Sequence, residues 1–228
     1  MRNWATRAVG ELAHRRDEIN ALNVFPVPDS DTGSNMAHTM EAAVAELDNG
    51  GDVADSLALG AVRGARGNSG MVLSQVLRGV AESTVDSVID GDVFARSLQQ
   101  AVELVDRAIA EPVEGTVITV LKAAAEAADD AEAQSGATLH SIVSAAIAAA
   151  ETALKRTPSQ LPALREAGVV DAGGAGLVIL LESLLAEIEG STGHTGLSEP
   201  EPDTELEVVF FFEGDIDTLQ AAITPLGD

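Results

Sequence analysis

TVITVLKAAAEAADDAEAQSGATLHSIVSAAIAAAETALK, residues 116–155, decides the fold class. It is rich in Ala and Leu, its apolar residues recur at three- and four-residue spacing, and a Gly-containing break divides it. That pattern predicts two amphipathic helices, over 116–131 and 138–155, with Thr138 at an N-cap position. Working outward, the same spacing predicts helices over 3–19, 35–48, 52–66, 69–83, 92–110 and 174–189, with Asp52 and Asp92 at cap positions and Gly-containing breaks between most segments. Eight helices of two to five turns with short joints predict an all-α domain, an eight-helix antiparallel barrel or bundle. Abundant Ala permits close helix approach. The chain has only six aromatic residues, Trp4, Phe25, Phe94, Phe210, Phe211 and Phe212.

The character changes near residue 191. STGHTGLSEPEPDT (191–204) has no periodicity and reads as a linker. Beyond it, LEVVFFF (206–212) is a β-branched and aromatic strand candidate, and 214–223 reads as a turn and short helix. One strand and one helix cannot bury a core. The expected organisation is therefore a helical domain over 1–190, a linker over 191–204, and the start of an incomplete α/β domain over 205–228. Residues 191–228 carry nine acids and no Lys or Arg.

The chain has 228 residues, 46 % of them hydrophobic, and a formal charge of −24. Such acidity argues against nucleic acid as a partner, because phosphate binding needs clustered Lys and Arg. It also argues against attraction to anionic membranes. Absence of Cys removes disulfides, thiolate nucleophiles and Cys-ligated metals. The first twenty residues lack the apolar run of a signal peptide. The most apolar later stretch, Gly174 to Leu185, is far short of the ~18–20 residues of a membrane span. These features predict a soluble, cytoplasmic protein with no stable membrane insertion.

The segment with the most chemistry is NVFPVPDSDTGSNM, residues 23–36. Its two prolines impose a rigid, non-helical approach. Asp29 and Asp31 follow at i, i+2, and a polar turn, Thr32, Gly33, Ser34 and Asn35, leads into the next helix. Two carboxylates on one braced loop suit a hard cation such as Mg²⁺ or Ca²⁺. An EF-hand loop is excluded: counted from Asp29, position five is Gly33, six is Ser34 and twelve is Met40. Three Gly-rich helix junctions follow, Arg63–Gly70 (RGARGNSG), Glu114–Val117 (EGTV) and Asp171–Gly176 (DAGGAG). Each can present backbone N–H groups to an anion, and Arg63 and Arg66 add local positive charge. Together with the carboxylates they predict a nucleotide·Mg²⁺ site at one end of a bundle. No G-x-x-x-x-G-K-[ST] occurs, the only lysines being Lys122 and Lys155, and the protein-kinase, G-x-S-x-G and H-E-x-x-H signatures are missing.

NVFPVPDSDTGSNM, GARGNSGMVLSQ, PVEGTVITVLKAAAEAA and GVVDAGGAGL stand in the order seen in the nucleotide-binding, DhaL-type domain of the bacterial fatty acid kinase ATP-binding subunit, which the chain resembles over roughly residues 5–190. That domain is related to the ADP-binding L subunit of dihydroxyacetone kinase. The resemblance implies an eight-helix barrel with ATP or ADP and two Mg²⁺ ions at one end. It implies Asp29 and Asp31 as metal ligands, with Asn23 near a third. It also implies a nucleotide-binding set of Thr32, Gly33, Ser34, Asn35, Gly67, Asn68, Ser69, Gly70, Gly115, Thr116, Asp171, Ala172, Gly173 and Gly174. Ser30 stands where the family more usually has Gly, and on steric grounds needs a negative φ. Thr32 replaces the His of the dihydroxyacetone kinase branch and points to the fatty acid branch. The implied activity is a kinase reaction on an acceptor held by a partner, a fatty-acid-binding carrier protein, yielding an acyl phosphate. The alternatives are a dihydroxyacetone kinase-like phosphotransfer subunit and a truncated nucleotide-binding module. Homodimerisation is left open.

Overall fold

The computed structural model describes residues 1–85 and 88–190. The expected linker and incomplete α/β segment lie outside the described residues. Among the described residues ten α-helices follow one another: α1 (Arg2–His14), α2 (Arg16–Leu22), α3 (Thr32–Glu46), α4 (Val53–Gly64), α5 (Gly67–Ser83), α6 (Gly91–Ala108), α7 (Val117–Glu132), α8 (Leu139–Gln160), α9 (Pro162–Ala167) and α10 (Ala172–Ile188). No strand occurs among the described residues, as the all-α expectation requires.

Eight long helices form a closed ring. Consecutive members α3 to α8 pack side by side, and α10 lies against both α8 and α1, which in turn contacts α3. The two helices beyond the expected eight are short. α2 arises because Arg15 leaves helical geometry and splits the first segment. α9 follows α8, which runs to Gln160 through Pro158. Proline normally ends a helix because it leaves the carbonyl four residues back without a partner. Here that carbonyl, of Leu154, accepts from the Thr157 hydroxyl at 2.7 Å, so α8 continues past residue 155.

Caps set the remaining ends. Asp52 and Thr138 cap α4 and α8 as their positions predict. Asp92 does not cap α6. Asp90 does, accepting from Val93 N–H at 2.9 Å, while Asp92 in the first turn pairs with Arg96 at 2.7 Å. Both residues precede the apolar run, so spacing alone could not separate them.

The core falls into two clusters that share α5 and α10. α5 gives Val72 and Val76 to the α6–α8 side and Leu73 and Leu77 to the α1–α4 side; α10 divides Leu177 and Leu181 from Ile179 and Leu180 in the same way. A helix covered on two faces must be apolar nearly all round, which explains the unbroken run GLVILL (176–181). Small residues let the ring close: a Cβ at Gly79 would sit 2.7 Å from Ser97 O and Ala101 N of α6. No helix among the described residues is long and apolar enough to cross a membrane.

Candidate functional site

In an up-and-down ring every second helix starts at the same end. α3, α5, α7 and α10 do so here, and residues at all four starts line one cavity of about 450 Å³. Each start carries a partial positive charge from its helix dipole, so four converge on one pocket of a strongly acidic chain.

The loop before α3 supplies the carboxylates. Asn23, 5 % exposed, clasps it: its amide NH₂ donates to Val27 O at 3.2 Å and Phe25 O at 3.4 Å, and its Oδ1 accepts from Asp31 N–H at 3.0 Å and Thr32 N–H at 3.3 Å. Asn20 of α2 accepts from Ser34 N–H at 3.1 Å. Capping α3 thus falls to two asparagines, and the side chain of its own N-cap residue, Asp31, makes no capping bond. Asp29 and Asp31 both line the cavity. Ser30 between them has φ 53°, in the left-handed region, contrary to the negative φ its side chain favours. The two carboxylates straddle a turn tight enough to override that preference.

α5 begins with Gly67, Asn68 and Ser69, all lining the cavity, its N-cap residue Arg66 makes no side-chain capping bond, and no other side chain among the described residues accepts from these three N–H groups. α7 and α10 are capped from within. The Thr116 hydroxyl accepts from Ile118 N–H at 3.4 Å and donates to Val113 O at 2.7 Å. The buried Asp171 carboxyl accepts from Gly174 N–H at 2.7 Å and from Val117 N–H, joining the two helix starts. Its own N–H donates to the Oγ1 of Thr157, the residue that also satisfies the carbonyl freed by Pro158. The cavity is therefore lined by polar groups from the starts of α3 and α5 and by an aliphatic wall of Val72, Ile109, Val113, Val117 and Ile118.

Burial pushes the Asp171 carboxyl up from 3.8 to about 6, against the two N–H donors that favour its charged form. The unfolded chain then ionises first as pH rises, so this group's stabilising contribution is full below pH ~4 and lost by about pH 6. Asp171→Asn removes the titration. Relative to wild type, the variant is expected to gain about 2 kcal/mol between pH 4.5 and 7.5, read from urea unfolding of both proteins. A difference that stays flat with pH would contradict this.

Twelve residues expected from sequence line the cavity: Asn23, Asp29, Asp31, Thr32, Asn35, Gly67, Asn68, Ser69, Thr116, Asp171, Ala172 and Gly173. The structure puts five others in helix contacts or loop bonds. A Cβ on Gly33 would run into the Arg16 carbonyl of α2, and one on Gly70 would lie 2.5 Å from Thr39 Oγ1 of α3. Ser34 Oγ accepts from Asn20 at 3.0 Å. Gly115 packs on Leu161, and the Gly174 N–H is held by Asp171. Arg63 pairs with Glu46 at 3.1 Å, and neither it nor Arg66 lines the cavity. Sequence reasoning missed Phe25, Pro26, Val27 and the apolar wall, together with Glu111. Such side chains look like core or loop until folding places them. Among the described residues no group of three or more His, Asp or Glu could hold a metal, so a cation here needs oxygens from water or a ligand.

A helical ring with a half-polar, carboxylate-bearing cavity at one end defines a helical ligand-binding domain. Residues 26–186 match the DAK2 domain model, and the chain belongs to this DhaL-type family. It is 41 % identical over 187 residues to protein YloV of Bacillus subtilis (strain 168), covering 79 % of this chain and 34 % of that protein. It is 36 % identical over 213 residues to an uncharacterized protein of Staphylococcus aureus (strain USA300), covering 91 % and 39 %. The chain thus spans little more than a third of the length of these relatives. Its fold is similar to that of the dihydroxyacetone kinase from C. freundii in complex with AMP-PNP and Mg²⁺, at TM-score 0.59 and 20 % identity, covering 82 % of this chain and 33 % of that one.

Proposed function

We propose that this chain binds ATP with Mg²⁺ and transfers the γ-phosphoryl group to an acceptor presented by a partner protein. One observation carries the reading: two carboxylates free of capping duty, Asp29 and Asp31, share a cavity with the uncapped start of α5. The donor set suits Mg²⁺, which is commonly held by one or two carboxylates and completed by phosphate oxygens and water. The C. freundii kinase of the same fold was solved with AMP-PNP and Mg²⁺, which supports the assignment.

Asp29 and Asp31 would hold two Mg²⁺ ions, whose chemistry is to neutralise and align the phosphates. Backbone N–H groups at Gly67, Asn68 and Ser69, with the Asn35 amide, donate to phosphate oxygens. The wall of Val72, Ile109, Val113 and Val117 takes the base. The acceptor we favour is a fatty acid carboxylate on a carrier protein. Its oxygen attacks the γ-phosphorus, the bond to the β–γ bridging oxygen breaks, ADP departs with that electron pair, and an acyl phosphate forms. An ionised acceptor needs no proton removed. A hydroxyl acceptor such as dihydroxyacetone would need a base.

Calorimetric titration with AMP-PNP, with and without Mg²⁺, tests the binding. Micromolar affinity that requires Mg²⁺ is expected, and its absence refutes the reading. Phosphate transfer to an acyl-loaded carrier, compared with dihydroxyacetone, then tests the acceptor.

A further inference from the structure

The cavity contains a carboxylate, on the α6–α7 side, that the reading above does not use. Glu111, on the loop between α6 and α7, lines the cavity and is exposed, with no hydrogen-bond or ion-pair partner among the described residues. Its surroundings are committed elsewhere. Glu114 accepts from the Thr119 hydroxyl at 2.6 Å. The Thr116 hydroxyl is bonded to Val113 O and Ile118 N–H, and the Asp171 carboxyl to two backbone N–H groups. The other side chains on this side, Ile109, Val113, Val117 and Ile118, are aliphatic. Glu111 is thus the side chain there with hydrogen-bonding capacity left over.

What an anionic acceptor can take in this position follows from charge and valence. A triphosphate would be repelled, and the phosphate donors of the proposed site are on α3 and α5, whereas Glu111 is on the α6–α7 loop. The base belongs on the apolar wall. Between base and phosphates lies the sugar, and a carboxylate accepts hydrogen bonds from ribose hydroxyls well, as acidic residues do in dinucleotide-binding folds. Resting on the nucleotide reading, we infer that Glu111 is the ribose-recognition residue of this site and makes it select ribonucleotides over 2′-deoxyribonucleotides.

The test is calorimetry on the full chain with ADP and 2′-deoxy-ADP at saturating Mg²⁺. Wild type is expected to bind ADP about tenfold tighter, the scale of one hydrogen bond to a charged group at a partly solvated rim. In Glu111→Ala the two affinities converge to within about twofold, through weaker ADP binding while 2′-deoxy-ADP stays unchanged. Because Glu111 is exposed and unbonded, the variant should fold, and an unchanged thermal midpoint checks this. Equal affinities in wild type overturn the inference. So does discrimination that survives in Glu111→Ala, or an equal change for both nucleotides. If wild type binds neither, the nucleotide reading itself fails, and the inference with it.

Discussion

Changing Asp29 and Asp31 together to alanine is expected to abolish Mg²⁺-dependent nucleotide binding. The loss should exceed about 3 kcal/mol, more than about a hundredfold in Kd, because the cation's protein ligands vanish. The fold should survive. Asp29 is exposed, Asp31 half-buried, and neither side chain caps α3, whose start is held by Asn20 and Asn23. Calorimetry with AMP-PNP and Mg²⁺ reads the binding, and far-ultraviolet circular dichroism reads the fold. Undiminished Mg²⁺-dependent binding in the double variant would remove these two residues from the site. Any binding left without Mg²⁺ should resemble that of wild type without the metal, because the α5 start and the apolar wall are intact.

Asn23 separates two roles that its sequence position leaves together. The resemblance places it near a third metal ligand, whereas its four hydrogen bonds make it the clasp of the carboxylate loop. Because both oxygen lone pairs and both amide hydrogens are engaged, we propose the clasp role for it over the ligand role. Asn23→Ala is expected to cost about 3 kcal/mol of stability, since it strips partners from two N–H and two C=O groups of a partly buried loop. Nucleotide affinity should drop with it by tenfold or more, the scale on which a loosened loop loses the pairing of its carboxylates. Asn23→Asp is the sharper variant. A ligand role predicts tighter Mg²⁺ binding with the extra carboxylate. The clasp role predicts weaker binding, because a carboxylate cannot donate to the Val27 and Phe25 carbonyls and is repelled by them. Denaturant unfolding and Mg²⁺ titration in the presence of ADP distinguish the two, and tighter binding in Asn23→Asp would return the residue to the metal shell.

The site was legible in sequence where a motif is local and illegible where it is assembled. The pairing of Asp29 with Asp31, and the Gly67–Ser69 junction, announce themselves by composition before a helix. Gly33 and Gly70 stand in the same motifs for a different reason, the approach of α2 and α3 to their backbones. No count along the chain separates a glycine that admits a ligand from one that admits a helix. Glu111 and the aliphatic wall carried no signal, since a lone acid on a loop and scattered Val and Ile are unremarkable until they meet.

Residues 116–155 determined by themselves that this is a helical protein: the spacing of Val, Leu and Ala leaves one face of each segment to be buried, and burial requires other helices. Only the tertiary structure decided that the helices close into a ring with α10 buried on two sides. That closure brings every second helix start to one cavity, a property of neighbours up to 140 residues apart, from Asp31 to Asp171. It also decided where the acidity goes. The count of −24 states only an excess of carboxylates. Folding leaves Asp29 and Asp31 lining a cavity at which four helices start, and commits Asp171 to joining two of them, because backbone N–H groups at helix ends need acceptors wherever they lie.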